Sequence, residues 1–539
     1  VEYSGMSFDS AGRTLSFRAE PPDKRYSRFV FCEPGSYRKA ASVTRKNRSD
    51  LRNPRNGADY VVISPRVFLD ESKKLAEWRS HDSATDPLQA MAVDIADVYD
   101  EFAWGVYDPT AIRDYLKYLN EDCEPSLRYC CIMGDTTFKY KNISPSQTSK
   151  NWIPTHTYES VSTDDFFTWF DTTHKPAVSI GRFCVNTLEE AKTTVAKTID
   201  YEKNPERGLW RNRVLLIADD ELNSNGVGQE KDFTEYIEEY DVQNYIPRSL
   251  ERIKLLMIEY PLLNFRKPAA TEALLAAFNG GCLMSHFIGH GNKDLLAHEH
   301  VLVGSRDIER FNNGGRQSVF FIASCSVGSY DRIDYSSLAE ILHLRAAGGC
   351  VEVIAASRET FNYSNKQVSH EYYLNLFDQK INPENRIGIA LRNSKRVNFD
   401  SDIHSNFANR YVIFGDPALR LAFPRYSFAT APMDSLLRLK KVDIDGRVQG
   451  LTGSAPFTGT LHVTARGPII HKRYVVNAGW YVDYTVPGNI FYRGEIPING
   501  NEFFASLVVP KDVVSDTRES RIFLFGDGAG KDASSLIDN

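Results

Sequence analysis

Long apolar runs are missing from this 539-residue sequence: no stretch reaches the roughly 20 apolar residues that a bilayer-spanning helix needs. A leading secretory segment is missing too. The first residue is Val, so the chain reads as a mature or trimmed form whose export signal would lie outside it. Excess positive charge is absent. Sixty-four Lys and Arg stand against 70 Asp and Glu, a net charge of −6, which removes nucleic acid as the default partner. Cysteine is scarce, with eight in all, at positions 32, 123, 130, 131, 184, 282, 325 and 350. None forms a Cys-x-x-Cys pair or a metal-ligand spacing, which excludes a disulfide framework and a zinc module. Seven of them read as small buried apolar side chains; Cys325 needs another explanation. No internal repeat or low-complexity tract appears, which excludes a solenoid.

What is present is ordinary globular material, 42% hydrophobic and 25% charged. At roughly 100–200 residues per domain the length predicts three to four domains. Residues 1–57 are polar, with short alternating pieces such as Thr14-Leu15-Ser16-Phe17-Arg18, and read as a β-rich N-terminal segment. From Tyr60 onward, short continuous apolar runs alternate with helical patterns. The runs begin at Tyr60, Tyr129, Ala177, Val214, Leu255, Cys282, Val319, Val351 and Tyr411. Continuous apolarity fits strands buried on both faces of a parallel sheet.

Helix starts are marked between the runs. Asp108-Pro109 supplies a cap and a first-turn proline, while Thr187-Leu188-Glu189-Glu190 and Ser337-Leu338-Ala339-Glu340 read as capping boxes. Nine runs are many for one sheet, so the pattern predicts two side-by-side α/β units, 58–205 and 206–424. From 425 to 539, alternating segments such as Gly459 to Thr464 and Phe503 to Val509 are separated by Gly, Pro and Asn, which predicts a β-sandwich. The closing segment from Gly526 is rich in Gly, Asp and Ser and reads as an unfinished edge.

Two strand ends carry chemistry. One reads Ile288-Gly289-His290-Gly291-Asn292, the other Ala323-Ser324-Cys325-Ser326. Ligands of open parallel sheets bind beyond the carboxyl ends of strands. If the two strands are neighbours, a Cys325 nucleophile and a His290 general base can meet there, because the imidazole can take the thiol proton and later protonate a leaving amine. The N–H groups of Gly291 and Cys325 could form an oxyanion hole. His286, four residues before His290, reads as packing. His298-Glu299-His300 hints at metal but has no third ligand at a known spacing.

Phe278-Asn279-Gly280-Gly281, Gly289-His290-Gly291-Asn292 and Ala323-Ser324-Cys325 resemble the gingipain family of cysteine peptidases, which have a caspase-like fold. Asp108 to Leu119, Met133-Gly134-Asp135, Ile180-Gly181-Arg182-Phe183 and Phe414-Gly415-Asp416-Pro417 extend the likeness. Within the family, Asn56 to Val61, Val98-Tyr99-Asp100-Glu101-Phe102, Ala218-Asp219-Asp220-Glu221 and Phe491-Tyr492-Arg493-Gly494 are most similar to the PorU-type sortases of the bacterial type IX secretion system. The nucleophile segment departs from that type, which carries Cys-Glu-Phe where this chain has Cys325-Ser326-Val327.

The resemblance implies two α/β subdomains, only the second catalytic, and then an immunoglobulin-like sandwich. It implies that an acid at Asp220 or Glu221 orients His290, and that Arg358 and Tyr363 line the substrate pocket. Gingipains hold calcium, which makes Asp164 and Asp165 candidate ligands for a structural ion; no cofactor is implied for the chemistry itself. A sortase of this type works at the bacterial cell surface, associated with the outer membrane through a partner such as PorV. It would remove the C-terminal signal domain of secreted cargo and pass the cargo to an amine of anionic lipopolysaccharide. Two alternatives remain beside that one: a general surface endopeptidase of gingipain type, and a catalytically silent scaffold.

Overall fold

The computed structural model describes residues 50–539 except 82–86, 142–149, 221, 223–231, 243–244, 399–404, 432–435, 452–455, 478–479, 514–519, 529 and 539. Twelve residues of the first 49 are also described; Ser7–Asp9 pairs antiparallel with Thr14–Ser16. Most of the expected β-rich N-terminal segment therefore lies outside the described residues. Residues 1–49 form one compact unit and 50–539 another.

The nine apolar runs become strands of a single ten-stranded sheet. In chain order its strands are β1 (Tyr60–Ser64), β2 (Ala90–Asp94), β3 (Tyr129–Met133), β4 (Ser179–Phe183), β5 (Arg213–Ala218), β6 (Glu251–Leu256), β7 (Met284–Ile288), β8 (Ser318–Ala323), β9 (Cys350–Ala356) and β10 (Tyr411–Phe414). Their spatial order is β6-β5-β7-β8-β9-β10-β4-β3-β1-β2. The two α/β halves expected side by side share this sheet. They join because β10 pairs parallel with β4 at Phe414 and Arg182. Strand β10 is antiparallel to β9, the one reversed pairing, so the two halves run in opposite directions. Strand β2 was not anticipated: Ala90-Met91-Ala92-Val93-Asp94 is an edge strand with half-buried residues and carries a weaker apolar signal.

The helices obey their local signals. Asp108 accepts from Thr110 N at 2.9 Å to open Pro109–Glu121. Thr187 and Glu190 close a reciprocal box at Leu188–Lys203. Helix Pro268–Gly280 stops at Gly281, where φ is +82° and an added Cβ would meet Trp210 and Arg316 side chains at 2.7 Å; only glycine fits both demands. Two apolar layers pack on the catalytic half, one centred on Phe233, Tyr240 and Tyr373, the other on Phe278, Phe320 and Leu342.

The C-terminal region is a β-sandwich of a four-stranded sheet (Ile490–Ile498, Gly459–Arg466, Arg521–Gly528, Lys531–Asp538) and a three-stranded one (Ser427–Thr430, Lys441–Gln449, Glu502–Val508). A long hairpin, Ile470–Asn477 with Trp480–Val486, leaves the sandwich and packs on the catalytic half. There Lys254 Nζ donates to Thr485 Oγ1 at 2.8 Å, and buried Tyr484 joins the apolar layer around Phe233.

Candidate active site

Parallel register decides which residues meet. Strands β7 and β8 are neighbours, with Ile288 opposite Ala323. His290 and Cys325 lie two residues beyond those partners, so they leave adjacent strands, roughly 4.8 Å apart, at one edge of the sheet. The chain around them is tightly constrained. An added Cβ on Gly289 would meet the Asp219 side chain at 2.3 Å, and one on Gly291 would meet Ser324 Oγ at 2.5 Å. Among the described residues, no backbone carbonyl accepts the N–H of Gly291 or of Cys325, so both donors stand ready for another acceptor.

Cys325 is half-buried, and its sulfur contacts Thr360 on the segment after β9. The Thr360 N–H donates to Sγ at 3.3 Å, and the thiol is 3.3 Å from Thr360 O. Ser326, next in the chain, sits at φ +54°, a left-handed conformation that costs a non-glycine residue free energy and turns the strand end away.

The His290 ring stacks on His298 at 4.1 Å and meets the Phe233 edge at 5.4 Å. Its backbone N–H donates to Asp219 Oδ2 at 2.8 Å. Asp219 ends β5, which pairs with β7 on the side away from β8. Asp219, Asp220 and Glu299 form a cluster of buried carboxylates with ligand atoms within 4.8 Å of one another. Lys267 enters it, bound to Asp220 at 2.6 Å. Burial and the neighbouring charges of Glu299 and Asp220 push Asp219 up to about 8. Burial, then Asp220, raises Glu299 as well.

A sequence profile of peptidase family C25 matches residues 53–422, more than half of the chain. The chain belongs to peptidase family C25. Gingipain R2 of Porphyromonas gingivalis is 23% identical over 272 residues, which are 50% of this chain and 32% of that protein. Gingipain R1 of the same organism is 22% identical over 304 residues, 56% of this chain and 26% of its own length. The chain thus spans about a third or less of these relatives. Among solved structures, the Arg-specific cysteine proteinase gingipain R (RgpB) superposes with a TM-score of 0.55 at 18% identity, covering 92% of this chain and 99% of that one. The complex of the RgpB pro- and mature domains gives 0.54 at 18% identity, covering 89% and 99%. The fold is the gingipain form of the caspase-like α/β fold, with the sandwich attached.

This C25 chain places the other expected residues differently. Asp220 is tied to Lys267, and its neighbour Asp219 accepts from the backbone N–H of His290. Glu221 lies outside the described residues. The Arg358 guanidinium pairs with buried Asp331 at 2.6 and 2.8 Å and bonds Ser160 O, which ties the two halves of the sheet together. Tyr363 is half-exposed, with its hydroxyl accepting from Gln367 at 2.7 Å.

Asp164 and Asp165, the candidate calcium ligands, are each paired with a protein cation: Asp164 makes a two-point bond with buried Arg182, and Asp165 binds buried Lys395. His286 packs as expected, buried against Tyr240, and burial pushes it down to about 3. The residues missed were Asp219 and Thr360, while His298 and Glu299, weighed only for metal, pack instead beside His290 and the carboxylates Asp219 and Asp220. Asp219 carried a usable signal, because it is the first polar residue after an apolar strand. Thr360 is brought to Cys325 from a segment 35 residues away. Among the described residues, no helix is long and apolar enough to cross a membrane.

Proposed function

We propose that the chain is a surface cysteine peptidase acting through Cys325 and His290, and that it works as a sortase. The observation that supports the dyad is the β7–β8 register, which brings both residues to one sheet edge. The imidazole takes the thiol proton while Sγ attacks a peptide carbonyl. The N–H groups of Gly291 and Cys325 receive the developing oxyanion. Collapse breaks the C–N bond, His290 returns the proton to the leaving amine, and a thioester remains on Cys325. The attacking amine of an acceptor then replaces the thioester bond by an amide, passing its proton to His290 and releasing the thiolate. Thr360 N–H supports the sulfur in its anionic states.

The sortase reading rests on the PorU-like segments of the sequence. The cargo is a secreted protein with a C-terminal signal domain, and the acceptor is an amine of anionic lipopolysaccharide at the outer membrane, reached beside a partner such as PorV. The test is intact mass of the chain and of a model cargo bearing a type IX signal domain, with Cys325→Ala alongside. Cut cargo, with an acyl adduct on wild type and none on the variant, supports the reading; the variant should lose at least about 10³-fold in rate. Uncut cargo with cleavage of casein indicates instead the general endopeptidase. No turnover of either, with Cys325 unreactive to thiol reagents, indicates a scaffold.

A further inference from the structure

At the edge that carries Cys325 stands a cation the dyad does not use. Arg410 immediately precedes β10, whose Tyr411 pairs with Ala356 at the end of β9. The segment after β9 knits the two together. Ser357 N donates to Arg410 O at 2.8 Å, Ser326 N to Arg358 O at 3.0 Å, and Thr360 N to Cys325 Sγ at 3.3 Å. The Arg410 guanidinium lies over the Phe407 ring at 4.3 Å, and Phe407 meets Phe361 edge-on at 4.9 Å. Phe361 is 62% exposed beside Thr360, so an aromatic wall runs from the nucleophile to the cation.

The guanidinium is half-buried, and its Nε is buried with no hydrogen-bond partner. Burial pushes it below its usual range, and the charges of Glu359 and Cys325 act against that. Among the described residues, no carboxylate pairs with it. Arg358 is committed to Asp331. Glu359, and Glu159 on the rim beside Arg410, are exposed, and neither forms an ion pair with it. By contrast the buried cations Arg182, Lys395 and Arg79 each have a carboxylate partner. A buried donor without an acceptor costs about 1–3 kcal/mol, which a ligand's acceptor would recover. Arg410 lines a cavity of about 50 Å³ with Tyr158, Val161, Thr163 and Asn409, whose buried Oδ1 also lacks a partner. That volume admits a group the size of a carboxylate and excludes a bulky side chain.

We infer that Arg410 is a specificity residue that binds the carboxylate of an acidic side chain close to the scissile bond, so that the substrate is an acidic peptide segment. The inference rests on the peptidase reading above but can be separated from it. A planar guanidinium with open donors is suited to two-point recognition of a carboxylate.

The test compares the rates at which Cys325 is alkylated by iodoacetate and by iodoacetamide; in each, Sγ–carbon bond formation expels iodide. Only the first reagent carries a carboxylate. In wild type the acetate-to-acetamide ratio should exceed that of Arg410→Gln by about fivefold, with Arg410→Lys between them. Thermal melts of the three proteins establish that each is folded. A ratio unchanged by Arg410→Gln overturns the inference whether or not the protein cleaves peptides. A second arm maps cleavage sites in a mixed library of proteome-derived peptides. Enrichment of Asp or Glu beside the cut, lost in Arg410→Gln, supports the inference, and cleavage with no acidic enrichment overturns it. A shifted alkylation ratio with no peptide cut would refute the peptidase reading while leaving Arg410 as the carboxylate site.

Discussion

Two sites in the ten-stranded sheet handle buried charge in opposite ways. Beside β4, Arg182 and Lys395 are each matched to a carboxylate. Arg182 spends its guanidinium on both oxygens of Asp164 and on the carbonyls of Gly134, Ile153 and Pro154. Lys395 spans Asp165 and Tyr411 O. At the catalytic edge the sums do not close: three carboxylates share Lys267, and Arg410 keeps an unbonded donor. Matched charges hold one geometry, since losing either partner strands the other. Unmatched charges sit at higher free energy and are the ones a substrate or proton can change. The acidic pair at Asp164-Asp165 looked like an ion site in sequence because sequence does not display the Arg and Lys that fold onto it.

The largest expected effect lies at the matched site. Arg182→Met should cost about 3–5 kcal/mol, read as a fall in denaturation midpoint, because Asp164 is left buried and unpaired. If the loss is under about 1 kcal/mol, the contrast between the two sites fails. Next comes Gly291→Ala at the catalytic edge. Its Cβ would collide with Ser324 Oγ and displace the His290 turn, so kcat should fall about 10–100-fold with little change in stability.

Asp219→Asn is smaller and appears only against pH. The folded carboxyl is held near 8, above its unfolded value of 3.8. Between those values the folded chain keeps a proton that the unfolded chain has lost, so this group makes stability fall as pH rises, with a slope of at most about 1.4 kcal/mol per unit. Melts at pH 5 and pH 8 should show a smaller drop in Asp219→Asn than in wild type, and an equal drop would sink the prediction. The smallest effect is Ser326→Gly, which relieves the left-handed φ and should raise stability by about 0.5 kcal/mol in denaturant titrations.

Much of the fold was legible in residues 58–424 because β strands buried on both faces are apolar throughout, and Tyr129-Cys130-Cys131-Ile132-Met133 or Val319 to Ala323 leave little other reading. Edge strand β2 was missed because half-buried residues weaken that signal. The hairpin 470–486 was read as sandwich because alternation reports one buried face without saying against what it is buried.

By itself the sequence determined the local elements, the caps, the glycine-bounded turns and the two strand ends bearing His290 and Cys325, since each depends on residues within a few positions of one another. Only the tertiary structure decided that the two α/β halves share one sheet, that Asp219 accepts the His290 backbone N–H while Asp220 pairs with Lys267, that Arg358 pairs with Asp331, and that no carboxylate among the described residues pairs with Arg410. Strand order, register and charge pairing are relations between residues tens to hundreds of positions apart, and they are set by which surfaces pack in three dimensions.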